Sequence, residues 1–254
     1  MALTLDLSGT VALVTGASRG LGRAMALSLA EAGADLALAA RTLPDLQRTA
    51  EAVTAHGVRA EVFTADMRKP EDIQTLVNGV VAAFGRIDVL VNNAGISGAE
   101  KPCLDLGADD WDDTLAVNLR GPALCAQAAA RVMITQRRGR IINIASLAAL
   151  RSIPRLGPYC ASKAGLVQLT RVMALEWARH NVQVNAICPG YFATPMNEHF
   201  FATPQGQEVI RRTIPMRRVG EPSELGPMVV FLASDAARFM TGSILTVDGG
   251  QALA

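Results

Sequence analysis

The chain has 254 residues, of which 50% are hydrophobic, 24 are basic and 23 are acidic. This length suits one large domain, and the near-zero net charge excludes the strong positive field with which many proteins attract nucleic acid or anionic membranes. The 4 cysteines have the spacing of neither a disulfide framework nor a metal site, and the sequence lacks a secretory signal and any apolar run long enough to span a bilayer. We therefore expect a cytoplasmic protein without a metal, partnered by neither nucleic acid nor membrane.

Short apolar runs alternate with longer stretches of helical periodicity along the chain. The runs barely alternate between apolar and polar residues, which is typical of strands that helices cover on both faces. Strands are predicted at 11–14, 36–39, 58–63, 87–91, 141–144, 182–187 and 244–247. Helices are predicted at about 21–33, 43–56, 70–85, 109–136, 158–180 and 222–234. The predicted fold class is α/β, with a doubly wound parallel sheet of about seven strands and helices on both faces.

One segment, at about 191–220, interrupts this alternation. It carries 3 prolines and precedes the last predicted helix and strand. We expect an irregular insertion here, within a single domain that spans residues 1–254. Such an insertion can cover the substrate as a lid that shields the reaction from water.

A glycine-rich stretch, Thr15-Gly16-Ala17-Ser18-Arg19-Gly20-Leu21-Gly22, directly follows the first predicted strand. Gly16 permits a tight turn, Gly20 lets the backbone approach a pyrophosphate, and Gly22 lets the next helix pack close to the sheet. The N-terminus of that helix presents unpaired N–H groups and a positive dipole end to phosphate. Its position between a strand and a helix favours dinucleotide binding through residues 16, 18, 19, 20, 21 and 22, although glycine-rich turns also serve geometry alone.

The end of the second predicted strand bears on which nicotinamide dinucleotide is bound. An NAD site is expected to place Asp or Glu there to bind the adenosine ribose, but this chain has Ala40 followed by Arg41. Arg41 and Arg19 together suit the 2′-phosphate of NADP(H), which accepts charge-assisted and bidentate hydrogen bonds. We therefore expect NADP(H) to be favoured over NAD(H). The alternative is that both arginines are solvated surface residues.

Further residues are expected to line the dinucleotide site. Asp66, with Met67 after it, follows the third strand and would accept a hydrogen bond from the adenine amino group or cap the next helix. Asn92-Asn93-Ala94-Gly95 follows the fourth strand, at the carboxyl edge of the sheet where the cofactor must pass. Asn118 is polar within an otherwise apolar run, and because Asn is a mediocre helix former we expect it to have a specific hydrogen-bonding role.

Tyr159 and Lys163 lie on one face of a predicted helix because they are 4 residues apart. A phenol has a pKa of about 10, and a nearby ammonium group favours the phenolate and lowers that value. Tuned in this way, Tyr159 would act as a general acid or base. The spacing is common in amphipathic helices, so the interpretation depends on the motifs around it, including Ser146 upstream.

Taken together, these motifs resemble those of the short-chain dehydrogenase/reductase family over essentially the whole chain. The glycine-rich turn, Asn-Asn-Ala-Gly, Asn118, Ser146, the Tyr159–Lys163 pair and Pro189-Gly190 stand in the family's order and spacing. The resemblance implies a single-domain Rossmann-type fold and NAD(P)-dependent chemistry at a CH–OH or C=O group. It also implies that Asn118, Ser146, Tyr159 and Lys163 form the catalytic tetrad.

The resemblance implies a role for each of these residues. Ser146 would hydrogen-bond the substrate carbonyl, and Tyr159 would protonate it while the nicotinamide delivers hydride to the carbon. Lys163 would bind the nicotinamide ribose and lower the pKa of Tyr159, and Asn118 would hold a water that connects Lys163 to solvent. Thr194 would bind the nicotinamide carboxamide. The resemblance also implies cofactor contacts from Pro189, Gly190, Thr194, Tyr159 and Lys163, and assembly into a homotetramer.

The substrate side is less distinctive. A mainly apolar pocket is expected around Ser146, lined by Leu147, Leu150, Leu156, Tyr191, Phe192 and Met196. For any one of these, packing of the insertion onto the domain is the alternative. Arg151 and Arg155 flank the pocket wall and could bind an anionic substrate, although solvated loop arginines are the simpler interpretation.

We predict an NADP(H)-dependent oxidoreductase that reduces a ketone or β-keto compound, a small-molecule substrate, to a secondary alcohol with Tyr159 as general acid. One alternative is a 3-oxoacyl-acyl-carrier-protein reductase, for which the basic run Arg137-Arg138-Gly139-Arg140 would dock an acidic carrier. Cations at a helix C-terminus are also favourable by themselves. A second is an NAD(P)-dependent dehydrogenase of polyols or sugar acids such as gluconate. A third is a non-catalytic dinucleotide-binding protein, against which the complete tetrad argues.

Overall fold

The computed structural model describes residues 5–195 and 197–253, within which parallel strands form a seven-stranded sheet. The strands are β1 (Val11–Thr15), β2 (Asp35–Ala40), β3 (Ala60–Thr64), β4 (Val89–Asn92), β5 (Gly139–Ile144), β6 (Val182–Pro189) and β7 (Ile244–Val247). Their order across the sheet is β3-β2-β1-β4-β5-β6-β7. Each predicted run overlaps one of these strands, so the predicted α/β class is confirmed.

The helices connect successive strands. They are α1 (Gly20–Glu31), α2 (Leu43–Thr54), α3 (Pro70–Phe84), α4 (Ala108–Leu115), α5 (Gly121–Gln136), α6 (Gly157–Trp177), α7 (Glu198–Phe201), α8 (Pro204–Thr213) and α9 (Gly226–Ala233). Pro70 opens α3, where a missing N–H costs nothing, and Gly85 ends it with a φ of 75°. Within the described residues, none of these helices is both long and apolar enough to cross a bilayer.

The sheet is covered on both faces because neighbouring residues of each strand point in opposite directions. In β1, Ala12 and Val14 join a core cluster with residues of α1, α2 and α9. Val11 and Leu13 join a second cluster with residues of α3, α5 and α6. All four side chains are buried. This two-sided burial explains why the strands read as continuous apolar runs.

The strand order reverses between β1 and β4. From β1 the chain passes to β2 and β3 on one side of the sheet, whereas the strands after β4 continue on the other side. In parallel sheets, ligands bind in the crevice outside the carboxyl ends of the strands at such a reversal. The glycine-rich turn follows β1 and Asn93-Ala94-Gly95 follows β4, so both predicted motifs lie at this crevice.

The helix predicted over 109–136 contains a wider π-helical turn, Ala116–Arg120, between α4 and α5. Pro122 has no N–H to donate to the carbonyl of Asn118, so the α-helical ladder is interrupted at this point. The Gly121 N–H donates instead to the Ala116 carbonyl, five residues back. Single π turns inside α-helices are frequent at functional sites, and this one carries Asn118.

The segment 191–220 is not irregular as predicted, because it contains α7 and α8. Thr203 caps α8, its hydroxyl accepting the Gly206 N–H at 3.1 Å, and Pro204 occupies the first turn. Phe201 and Ile210 are buried in a small apolar cluster of the segment itself, which stabilises the two helices. One of the prolines that suggested irregularity, Pro204, instead lies in the first turn of a helix. The lid role of this segment stays a prediction.

Candidate active site

A cavity of about 740 Å³ opens at the carboxyl edge of the sheet. One end, here called the adenosine end, is lined by the glycine-rich turn and by Arg41 after β2, and the other, the substrate end, by Ser146 after β5 and Tyr159 on α6. The predicted site residues that line it are Gly16, Ser18, Arg19, Gly20, Leu21, Gly22, Arg41, Asp66, Met67, Asn93, Ala94, Gly95, Ser146, Leu147, Leu156, Tyr159, Lys163, Pro189, Gly190, Tyr191, Phe192 and Thr194. The fold therefore brings the glycine-rich turn and the Tyr–Lys pair to one continuous space.

Two glycines of the glycine-rich turn are packed too closely against their neighbours to carry a side chain. Gly16 has a φ of 66°, and a Cβ on Gly22 would lie 2.2 Å from the Gly16 carbonyl oxygen. The N-terminus of α1 has no side-chain cap, so its first N–H groups are left for another acceptor. A pyrophosphate would satisfy these donors and benefit from the helix dipole. The turn thus fits the phosphate part of a dinucleotide.

The side-chain amide of Asn93 is hydrogen-bonded to the glycine-rich turn and stabilises it. Its Nδ2 donates to the carbonyls of Thr15 at 2.9 Å and Gly16 at 3.2 Å. In return, Thr15 Oγ1 accepts the N–H groups of Asn93 at 3.0 Å and Ala94 at 3.1 Å. These bonds tie the end of β1 to the end of β4. The Thr15 hydroxyl, for which the glycine-rich motif alone predicts no role, thus joins the two strand ends.

Three arginines line the adenosine end of the cavity. Arg19 and Arg41 are exposed, and among the residues described neither forms an ion pair. Arg68, which the sequence interpretation did not include, pairs with Asp66 at 3.3 Å and with Asp113. Its proximity to two acidic residues is visible only in the fold. The two exposed guanidiniums are the groups left to meet an anionic ligand.

Asp66 has partners other than those expected. Its Oδ1 accepts the Arg68 N–H at 3.0 Å, and the Arg68 guanidinium lies 3.3 Å from the same carboxylate. It does not cap α3, since the N-cap position of that helix is Lys69. The carboxylate nevertheless lines the cavity. The helix-cap alternative is therefore wrong, and adenine binding stays a prediction.

Ser146, Tyr159 and Lys163 lie together at the substrate end of the cavity. Ser146 follows β5 and its Oγ accepts the Ala148 N–H at 3.1 Å. Lys163 is 4% exposed, and its Nζ lies 5.9 Å from the centre of the Tyr159 ring. The same Nζ donates to the Ile144 carbonyl at 2.9 Å, which fixes the ammonium below the ring. The helical spacing of the pair thus produces the predicted proximity.

The pKa of Tyr159 differs in direction from the prediction. Burial raises the pKa of its hydroxyl, and a hydrogen bond with Ser146 opposes that shift. Burial also lowers the pKa of Lys163 to about 8. Burial is the largest cause of the shift in the Tyr159 pKa, and Lys163 is not among its causes. Tyr159 is therefore held as the neutral phenol, the form that can donate a proton.

Asn118 is buried and does not line the cavity. Its Oδ1 accepts the Ile96 N–H at 2.9 Å, and its Nδ2 donates to the Ile96 carbonyl at 2.8 Å and to Ser162 Oγ at 3.2 Å. Ser162 Oγ donates to the Tyr159 carbonyl at 2.7 Å, so these contacts connect the loop after β4 with α6. The expected hydrogen-bonding role is found. A water relay through Asn118 stays a prediction.

The cavity lining contains polar residues beside the predicted apolar ones. Leu150 is 48% exposed and lies outside the lining, and Met196 lies outside the described residues. Polar residues that line the cavity, and that the sequence interpretation missed, are Ser97, Ser152, Asn197, Thr213 and Gln251. They come from separate segments, and no shared spacing marks them. These polar side chains share a lining that is mainly apolar and includes Leu147 and Leu156, and the expected substrate pocket stays a prediction.

The basic run lies far from this site along β5. Arg140 stands at the beginning of that strand and Ser146 follows its end, so the two occupy opposite edges of the sheet. Arg140 is buried, with its guanidinium bonded to Gln183 and 3.4 Å from Asp235.

Among the residues described, no group of His, Cys, Asp and Glu is arranged to hold a metal ion.

The comparison with known protein families decides the class of the protein. The family model described as enoyl-(acyl carrier protein) reductase matches residues 16–252. The chain belongs to the short-chain dehydrogenase/reductase family. It is 44% identical over 246 residues to the 2-dehydro-3-deoxy-D-gluconate 5-dehydrogenase of Escherichia coli K12, with 96% of each chain covered. It is 39% identical over 249 residues to the 3-oxoacyl-(acyl-carrier-protein) reductase of Synechocystis, with 97% of this chain and 98% of the relative covered.

Solved structures of the family agree closely with this member. A gluconate 5-dehydrogenase from Burkholderia cenocepacia, in complex with NADP and tartrate, has a TM-score of 0.94 at 36% identity, covering 99% of this chain and 98% of that one. An NAD+-bound xylitol dehydrogenase has a TM-score of 0.91 at 38% identity, covering 96% and 99%. The short-chain dehydrogenase/reductase described here is thus an oxidoreductase acting on CH–OH or C=O groups with a nicotinamide dinucleotide.

Proposed function

We propose that this protein is an NADP(H)-dependent dehydrogenase that interconverts a ketone and a secondary alcohol on a polyhydroxylated small molecule. The observation that carries the proposal is the continuity of the cavity, in which the phosphate-binding turn and the Ser146–Tyr159–Lys163 group share one lining. Hydroxyl and amide side chains at the substrate end suit a substrate rich in hydroxyl groups. Relatives named for gluconate, its dehydro-deoxy derivative and xylitol support the same substrate class.

NADP(H) would be held along the whole cavity. The turn from Gly16 to Gly22 and the open N-terminus of α1 would bind the pyrophosphate. Arg19 and Arg41 would bind the 2′-phosphate, since both guanidiniums are exposed at the adenosine end. Thr194 would bind the carboxamide: its hydroxyl donates to Asn197 Oδ1 at 3.2 Å and keeps lone pairs that can accept from an amide NH2.

A bound nicotinamide supplies hydride to a ketone or removes it from an alcohol. Ser146 would donate a hydrogen bond to the substrate oxygen, because its hydroxyl lines the cavity beside that of Tyr159, to which it is hydrogen-bonded in the described structure. Tyr159 would give its proton to the developing alkoxide, and burial keeps that proton on the phenol at neutral pH. Lys163 would stabilise the phenolate left behind and bind the nicotinamide ribose. These roles place proton transfer at one fixed hydroxyl.

A 3-oxoacyl-(acyl-carrier-protein) reductase is the second candidate, supported by the Synechocystis relative. Its substrate is carried on an acidic protein, which a basic surface near the cavity mouth would attract. The basic run of this chain begins β5, at the edge of the sheet away from Ser146. A carrier protein docked there would lie at the edge of the sheet opposite to Ser146, too far to deliver its substrate. We therefore favour the free polyhydroxylated substrate.

A substrate and cofactor panel tests the proposal. Initial rates should be measured with NADP+ and NAD+ on gluconate, glucitol and xylitol, and with NADPH on an acetoacetyl thioester of N-acetylcysteamine. We expect the highest kcat/KM for a polyhydroxylated compound with NADP+. A clear preference for the thioester would contradict the proposed substrate class, and a clear preference for NAD+ would contradict the proposed cofactor.

A further inference from the structure

One charged side chain at the substrate end has no part in the chemistry described so far. Arg151 lies in the turn after Ser146, where its N–H donates to the Leu147 carbonyl at 3.0 Å. The side chain lines the cavity together with Ser146 and Tyr159 and is half-buried. A guanidinium is charged at all accessible pH values, so this end of the cavity carries a permanent positive charge.

The Arg151 guanidinium is held by a neutral partner. Its Nη1 donates to the Gln251 carbonyl at 2.8 Å. Gln251 is itself fixed, because Asp248 Oδ1 accepts the Gly250 N–H at 3.0 Å and Asp248 Oδ2 accepts the Ala252 N–H at 2.6 Å. A guanidinium has five N–H donors, so this single bond positions the group and leaves most of its donors available.

The charge of Arg151 is not neutralised within the cavity. Among the described lining residues, the acidic ones are Asp45 and Asp66, and both belong to the adenosine end. Each already forms an ion pair there, with Arg48 and Arg68 respectively. The described substrate end therefore contains an arginine without a carboxylate to face it, so its charge is available to an anionic ligand.

We infer that Arg151 binds a carboxylate of the substrate, so that the enzyme selects sugar acids over neutral polyols. This inference rests on the proposed function and narrows its substrate class. A carboxylate matches the planar guanidinium with two parallel charge-assisted hydrogen bonds, which adds both energy and orientation. A neutral polyol would leave the cation unpartnered as it displaces water from the cavity. Sites built around a polar partner reject analogues that lack it for this reason.

Arg155 provides a matched control on the same loop. It is exposed, does not line the cavity, and its Nη2 donates to the Glu100 carbonyl at 3.0 Å. The two arginines thus lie on the same loop and each donates to a backbone carbonyl, Arg151 to that of Gln251 and Arg155 to that of Glu100, but only Arg151 lines the cavity. If loss of an arginine acts only by lowering the net charge of the protein, substitution of Arg151 and substitution of Arg155 should change the kinetics equally.

The experiment compares gluconate with glucitol, which has the same carbon chain with a CH2OH group in place of the carboxylate. Steady-state kcat and KM should be measured with saturating NADP+ for the wild type, Arg151→Gln, Arg151→Lys and Arg155→Gln. Glutamine keeps an N–H donor but carries no charge. We expect the wild type to favour gluconate, and Arg151→Gln to raise its KM for gluconate about tenfold or more, the scale of one charge-assisted bond.

Three further measurements separate charge recognition from a structural role. We expect Arg151→Gln to change kcat/KM for glucitol less than about twofold, Arg151→Lys to recover part of the gluconate preference, and Arg155→Gln to behave like the wild type. Equal losses on both substrates would mean that Arg151 only holds the C-terminal turn, and no loss on gluconate would mean that it binds no carboxylate. Either result overturns the inference alone. A wild type inactive on both compounds would instead overturn the proposed function, and the inference with it.

Discussion

The glycine-rich turn and the substrate end of the cavity are built in different ways. The turn is one short stretch in which two glycines have no room for a side chain, since a Cβ on Gly22 would lie 2.2 Å from the Gly16 carbonyl oxygen and one on Gly16 would lie 2.8 Å from Asn93 Nδ2. The substrate end gathers side chains from the loops after β4, β5 and β6 and from Gln251 near the C-terminus. The class of cofactor is therefore encoded locally, whereas the class of substrate emerges only when distant segments meet.

Tyr159 lies at the substrate end of the cavity, and removal of its hydroxyl should have the largest effect on turnover. Tyr159→Phe removes the proton donor and keeps the ring, so we expect kcat to fall at least about a hundredfold, the scale of general-acid catalysis. Binding of NADPH, followed by the quenching of protein fluorescence, should stay within about twofold of the wild type. Near-normal turnover in this variant would refute the assigned role of Tyr159.

The local character of the turn is tested by Gly22→Ala. The added methyl group must displace the Gly16 carbonyl or Asn93 Nδ2, which would lie 2.5 Å from the new Cβ, and overpacking of this kind costs about 1–3 kcal/mol. We expect the Kd for NADPH to rise more than tenfold and the Tm to fall. Both quantities can be measured in one thermal-shift titration.

Gly107→Ala is the matched control for that substitution. Gly107 has a φ of −87°, which any residue adopts, and a Cβ there would approach Asp110 Oδ2 only to 3.9 Å. We expect the Tm and the Kd for NADPH to be unchanged. An equal loss in both variants would show that replacement of a glycine near a helix start, rather than the collision at Gly22, causes the effect.

The smallest expected effect concerns the preference between cofactors. Arg41→Ala should raise KM for NADPH by about tenfold and leave KM for NADH nearly unchanged, because only NADPH carries the 2′-phosphate. Exposure of Arg41 limits the effect, since solvent and salt screen such a contact. Arg48→Ala is the control, because Arg48 pairs with Asp45 and does not line the cavity. Equal loss with both cofactors would contradict the 2′-phosphate assignment.

Much of the fold could be read from the sequence because its signals are local. Strands buried on both faces give apolar runs such as Val11–Thr15, and Pro70 and Gly85 mark the ends of α3 by their backbone requirements. The same holds for the cofactor turn and for the Tyr159–Lys163 pair, whose proximity follows from helical spacing.

The parts that the sequence did not predict depend on contacts between distant residues. The π turn at Asn118 follows from Pro122, but the partner of its side chain, Ile96, lies in another loop. The pKa of Tyr159 depends on how much water the folded cavity admits, which residue spacing does not specify. Arg68 and Gln251 enter the cavity only through tertiary packing. The start of α8 at Thr203-Pro204 was a local signal that the prolines around it obscured.

Asn118 satisfies both polar groups of one backbone residue, because it accepts from the Ile96 N–H and donates to the Ile96 carbonyl. The side-chain carboxamide of Asn118 thus forms the pair of hydrogen bonds that the backbone of an adjacent strand would form. These two bonds order the loop after β4. An aspartate at position 118 would have the same shape but no N–H donor, and it would place a negative charge next to the Ile96 carbonyl oxygen. An isosteric exchange at position 118 would therefore loosen this loop and, through Ser162, the helix that carries the tyrosine.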